Sequence, residues 1–155
     1  FKNIPEIVIL NKAVSNYNGY GHLCSGAKGD LAASIKARNL KSHKHCETVE
    51  VMHINDLLKI YPRINCIKID TEGSEFDILA SINLKKTRLN LIQIEFGNPP
   101  LINNSNKFFW DYFNLFTSSN WKIFRMSPKF LIPITKYSAD LENRMPSNYL
   151  ALNYN

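Results

Sequence analysis

The chain has 155 residues, of which 45% are hydrophobic and 21% charged, and 19 Lys and Arg against 13 Asp and Glu leave a formal net charge of +6. That length suits one domain with a substantial core, and the composition excludes a disordered or fibrous chain. No apolar run approaches the ~18 residues of a bilayer span, no secretory leader is read at the start, and the basic residues are scattered rather than gathered with stacking aromatics, which disfavours membrane and nucleic-acid partners.

The first residue is Phe1, directly before a strand-like segment, and the reading expects a chain whose beginning lies upstream. Ile7-Val8-Ile9-Leu10, continued through Ser15, reads as a strand buried on both faces. Asn16 to Gly21 is a turn cluster, and Tyr20 to Cys24 a short strand. Residues 25–47 are small and basic, with helical tendency over Leu31 to Ala37, and are expected to be the most mobile stretch. Thr48 to Met52 alternates with period two and predicts a strand. Asn55 or Asp56 then caps a short helix that Pro62 helps to end.

Cys66-Ile67-Lys68-Ile69-Asp70 predicts the central strand. Gly73 permits the positive φ of a tight turn. Ser74 is the expected N-cap of the next helix, with Glu75 and Asp77 favoured in its first turn by the helix dipole. Asp70 and Glu72 therefore stand at the carboxyl end of a strand, where open α/β sheets bind ligands. Carboxylates there are costly in a core and useful in a site. The competing reading makes them acidic turn residues and caps.

Leu89 to Phe96 is the next strand, again ending on an acid, Glu95. Lys107 to Phe116 predicts an amphipathic helix with Phe108, Phe109, Tyr112, Phe113 and Phe116 on one face. Trp121–Met126, Phe130–Ile132 and Tyr149–Tyr154 read as late strands. The order predicts a largely parallel sheet centred on residues 66–70, flanked by 7–14 and 91–96, with an antiparallel finish. Asp70, Glu72 and Glu95 should converge at one end of it.

Cys24, Cys46 and Cys66 are an odd and sparse set, so no disulfide framework and a reducing, cytoplasmic setting are expected, with Cys66 in the core. His22 with Cys24, and His43 with His45 and Cys46, match no usual zinc spacing and read as exposed loop histidines.

Several segments resemble the FkbM-type methyltransferases. Asn11-Lys12-Ala13-Val14-Ser15 before a glycine turn is similar to that family's third strand, and Val49 through Asn55-Asp56-Leu57-Leu58 to its next strand and short helix. Lys68-Ile69-Asp70-Thr71-Glu72-Gly73 with the following helix resembles its signature, and Ile92-Gln93-Ile94-Glu95-Phe96 its fifth strand. The resemblance runs in order over residues 4–98. It implies a single partial domain over 1–155, α/β and Rossmann-like, with a mostly parallel sheet, helices on both faces and an antiparallel C-terminal strand pair.

The resemblance further implies an enzyme using S-adenosylmethionine, with O-methylation of a hydroxyl on a sugar, glycan or other small molecule. It places Asp70, Glu72 and Glu95 as catalytic candidates and Ala13, Val14 and Ser15 beside the adenine of the cofactor. The glycine loop after the first strand and the acid ending the second have no counterpart in these residues. Weak cofactor binding and self-association through an exposed sheet edge are therefore expected. No resident metal is assigned, although the acids offer oxygen ligands to a divalent ion. A non-catalytic α/β module, and more distantly a basic nucleic-acid binder, are the alternatives.

Overall fold

Two sheets carry the chain in the computed structural model, which describes residues 7–27, 33–35, 45–97, 107–142 and 146–154. The first joins β1 (Ala13–Ser15), β2 (Gly19–Ser25) and β3 (His45–His53) in the order β1-β3-β2. β3 runs parallel to β1 and antiparallel to β2. Its alternating sequence buries Val51 and leaves Glu50 exposed.

Helix α1 (Ile54–Ile60) follows β3 without a loop. Neither Asn55 nor Asp56 caps it. His53 Nδ1 accepts the Asn55 N–H at 3.0 Å, because the strand runs straight into the helix and the cap is its last residue. Asn55 donates instead to the Ser81 carbonyl, and Asp56 accepts from Asn18 and Lys59, which hold its carboxyl below the usual range.

The second sheet contains β4 (Cys66–Ile69), β5 (Leu91–Phe96), β6 (Trp121–Met126), β7 (Leu131–Ile134) and β8 (Ser147–Asn153), in the order β4-β5-β8-β6-β7. β4 and β5 are parallel, with α2 (Glu75–Ala80) in the crossover that a parallel pair requires. α3 (Phe109–Thr117) leads from β5 to β6, and β8 inserts antiparallel between those two. The core lies where α2 and α3 meet this sheet: Ile78 and Leu79 on α2, and Phe109, Tyr112 and Phe116 on α3, pack with Ile92, Ile94, Trp121 and Tyr149. Each such side chain contributes roughly 1.5–3 kcal/mol on burial. Phe108 falls outside the apolar stripe of α3 and stays exposed. The helix start is satisfied from two sides. Asp111 accepts the Phe108 N–H, and Glu142, on a 3₁₀ turn over Ala139–Glu142, accepts those of Phe109 and Trp110 at 2.8 and 3.0 Å.

The expected sheet needs correction in three respects. The strand over 7–14 shrinks to Ala13–Ser15, and Ile7 to Leu10 are exposed, since no described element packs on them. β4 is an edge strand of its sheet rather than the centre, which also leaves Cys66 exposed instead of in the core. Of the six strand pairings among the described residues, two are parallel and four antiparallel, so the sheets are not mostly parallel. The reason is local: β2–β3 and β6–β7 fold back as antiparallel neighbours, and β8 fills the place between β5 and β6. The antiparallel finish is as expected.

The cysteine reading is also corrected. The β2–β3 register sets Cys24 directly opposite Cys46, with Cα atoms 4.1 Å apart, and the two form a disulfide. Counting cysteines along the chain misses a pairing that a hairpin register creates. The bond removes the ground for a reducing, cytoplasmic setting. His22 and His45 lie exposed on β2 and β3 rather than on loops; His43 lies outside the described residues. Among the described residues no cluster of His, Cys, Asp or Glu could hold a metal, and no helix is long and apolar enough to cross a membrane. Of the helical tendency expected over 31–37, residues 31, 32, 36 and 37 lie outside the described residues, as does much of the stretch expected to be mobile; Ser34 forms a β-bridge with Cys24.

Candidate active site

The register of β4 against β5 creates the site. Ile67 pairs with Ile92 and Ile69 with Ile94, so one residue further on the two chains reach Asp70 and Glu95 together. Ile92, Ile94 and Phe96 of β5 turn to the core, and Glu95 lies on the opposite face with Leu91 and Gln93. Asn148 of β8 is the cross-strand partner of Glu95, and its Oδ1 accepts from Gln93 at 2.9 Å. A row of polar groups thus spans three strands at their site end.

The electrostatics of the row are specific. Asp70 holds the Lys68 ammonium at 2.8 Å, and this bond pushes the lysine above its ordinary range. Burial pushes the Glu95 carboxyl up first, and the charges of Asp70 and Glu72 push it further; it also hydrogen-bonds the Asp70 side chain. The surroundings of Glu95 therefore favour its neutral form more than those of an ordinary glutamate would. Two carboxyl groups facing one pocket can orient a hydroxyl placed between them, and an ionised one can accept its proton. Asp70, Glu72, Glu75 and Glu95 line a small pocket of about 110 Å³, closed by Gly97 against Pro146.

The turn after β4 holds Glu72 in this pocket by unusual backbone geometry. Glu72 has φ +56° and Gly73 φ +118°, which bears out the glycine reading and adds a strained non-glycine residue beside it. Ser74 is buried and makes no capping hydrogen bond. Glu75 braces the turn before the helix instead. Its carboxylate, 8% exposed, accepts the Thr71 N–H at 2.7 Å, the Thr71 hydroxyl at 3.0 Å and the Gly73 N–H. Sequence reasoning assigned Glu75 to the helix dipole alone, although an acid two residues after a glycine turn was the available signal. Ser34 was missed entirely: its hydroxyl donates to the Glu72 carbonyl at 2.9 Å from 38 residues away.

The cofactor candidates divide. Ala13 and Val14 line a cavity of about 390 Å³ together with Leu23, Ile69, Asp70 and Thr71. Asp70 borders both this cavity and the acidic pocket. Ser15 is buried beside it with its hydroxyl on Asn16, and does not line the cavity. So Asp70, Glu72 and Glu95 are brought together, and Ala13 and Val14 reach the same end of β4.

The model of the methyltransferase FkbM domain matches residues 3–120. The chain belongs to the FkbM methyltransferase family. The match contains the acid-ended strands β4 and β5 with α1 to α3, and stops just before β6. No curated protein and no solved structure matches the chain.

Proposed function

We propose that this FkbM-family chain is an S-adenosylmethionine-dependent methyltransferase acting on a hydroxyl oxygen of a sugar, glycan or other small molecule. The observation that carries the reading is the convergence of Asp70, Glu72 and Glu95 on one pocket, with Asp70 also bordering the cavity walled by Ala13 and Val14. A Rossmann-like arrangement with helices on both sheet faces belongs to the same reading. The cofactor supplies a methyl group on a cationic sulfonium. The residues present fit part of it: the apolar walls suit a flat heteroaromatic base, and the Asp70 carboxylate suits a neighbouring cation. Ala13, Val14 and Ile69 would hold the base, with Asp70 and Thr71 at the polar side.

Asp70 and Glu95 would orient the acceptor hydroxyl, and the carboxylate of the pair would take its proton. Orientation in a reactive geometry is worth ~7–11 kcal/mol of a barrier, and a placed base on the order of a hundredfold or more in rate. Lys68 keeps Asp70 in place at 2.8 Å. No divalent ion is required by this scheme.

The test is product analysis. The full protein is incubated with methyl-labelled S-adenosylmethionine and a panel of sugars, glycans and hydroxylated small molecules. A labelled methyl ether supports the reading. Label on nitrogen or carbon only, or none above a protein-free control, overturns it and favours a non-catalytic α/β module.

A further inference from the structure

The peptide between Glu72 and Gly73 is gripped at both ends. Its carbonyl accepts the Ser34 hydroxyl at 2.9 Å, and its N–H donates to both oxygens of Glu75 at 3.1 and 3.0 Å. That grip holds Glu72 in the left-handed region, from which its side chain borders the acidic pocket. Ser34 is itself fully buried, 1% exposed. It is fixed by two backbone hydrogen bonds to Cys24, its N–H donating at 3.0 Å and its carbonyl accepting at 2.9 Å. Cys24 in turn is bonded through sulfur to Cys46 on β3. A continuous set of bonds therefore runs from the β2–β3 disulfide to the turn that carries a site acid.

We propose that Ser34 is a positioning residue for the Asp70–Glu72–Glu95 cluster, and that the Cys24–Cys46 disulfide holds it in place, so that the cluster's geometry depends on the oxidation state of that pair. The proposal rests on reading the acid cluster as the site. A backbone residue at φ +56° stays there only while its surroundings over-determine it. Without the Ser34 hydroxyl, the Glu72 carbonyl loses that hydrogen bond and the peptide can rotate towards an ordinary turn. Reduction by a dithiol acts one step further back. The S–S bond breaks, two electrons and two protons pass to Cys24 and Cys46 to give two thiols, and the dithiol closes to its own disulfide. β2 and β3 remain paired by backbone bonds, so the consequence expected is a looser Ser34 bridge rather than loss of the sheet.

The experiment uses amide hydrogen exchange and carboxyl NMR on the full chain, neither of which needs methyl transfer. In Ser34→Ala the Gly73 amide should exchange roughly fivefold faster, the effect of one net hydrogen bond. Glu95 is faced by Asp70, Glu72 and Lys68; as Glu72 moves away, its titration midpoint should fall. Ser34→Thr, which keeps the hydroxyl, should restore both. Dithiol treatment of the wild-type chain should speed Gly73 exchange while the protection of β5 and β8 persists. Unchanged Gly73 exchange and Glu95 titration in Ser34→Ala overturn the positioning role. Unchanged exchange after confirmed reduction overturns the redox dependence, and serves as the test if Ser34→Ala does not fold. Failure to detect methyl transfer sinks the functional reading but leaves these readouts intact.

Discussion

Glu95 is where the chemistry and the stability of this chain meet. Its carboxyl is pushed up by burial and by the charges of Asp70 and Glu72. A carboxyl whose folded value is raised stabilises the fold in its protonated form. That contribution is complete below the ordinary glutamate value and is lost as pH rises through the raised one. Stability of the wild-type chain should therefore decline over the range just above the ordinary value, and Glu95→Gln should flatten the decline. Denaturant midpoints taken across pH check this, and parallel curves for both proteins would contradict it.

Glu75 is a carboxylate of another kind, committed to Thr71 and Gly73. Glu75→Ala strands buried N–H groups and should cost about 1–3 kcal/mol in urea unfolding; a cost near zero would dismiss its role in the turn. At residue scale the acids ending the strands were legible because a carboxylate after an apolar run is conspicuous. The roles of Glu75 and Ser34 were not, because both depend on which backbone groups the turn leaves unsatisfied.

At the scale of elements, the apolar β-rich runs announced β3 to β6 and β8, and the aromatic spacing announced α3. Pairing order was not legible. β8 joins β5 across more than fifty residues, and no local pattern encodes that choice. The run Ile7 to Leu10 shows the limit of periodicity: it has the composition of a buried strand and no described partner to bury it. β4 retains a core role from its edge position through Ile69, which packs in the main cluster. Ile69→Ala should cost ~2–5 kcal/mol by chemical denaturation. A change below the measurement error would mean the β4 side of the core is not packed as described. The site end of β5 is equally specific: a side chain at Gly97 would overlap the Pro146 backbone, so Gly97→Ala should perturb the pocket floor.

At the scale of the molecule, the two sheets share one cavity between β1 and β4, with Asp70 on its border. The described residues offer that cavity apolar walls and an acid. They offer no glycine loop for the methionine end of the cofactor and no second acid for its ribose. Each missing charge-assisted hydrogen bond is worth roughly 1.5–3 kcal/mol. The 155-residue chain alone should therefore bind S-adenosylmethionine weakly, and micromolar affinity by calorimetric titration would show that other groups replace those contacts. The edge of β4 should also favour self-association, which sedimentation at increasing concentration reads directly.

The central claim is that Asp70, paired with Glu95, performs the chemistry of a methyltransferase rather than closing a turn. The measurement that tests it is turnover of labelled S-adenosylmethionine by the full protein and its Asp70→Asn variant, with unfolding midpoints recorded for both. The account predicts a loss of turnover on the order of a hundredfold or more, with a midpoint close to that of the unsubstituted protein. Equal turnover in the two proteins, or a loss no larger than their difference in folded fraction, would contradict it.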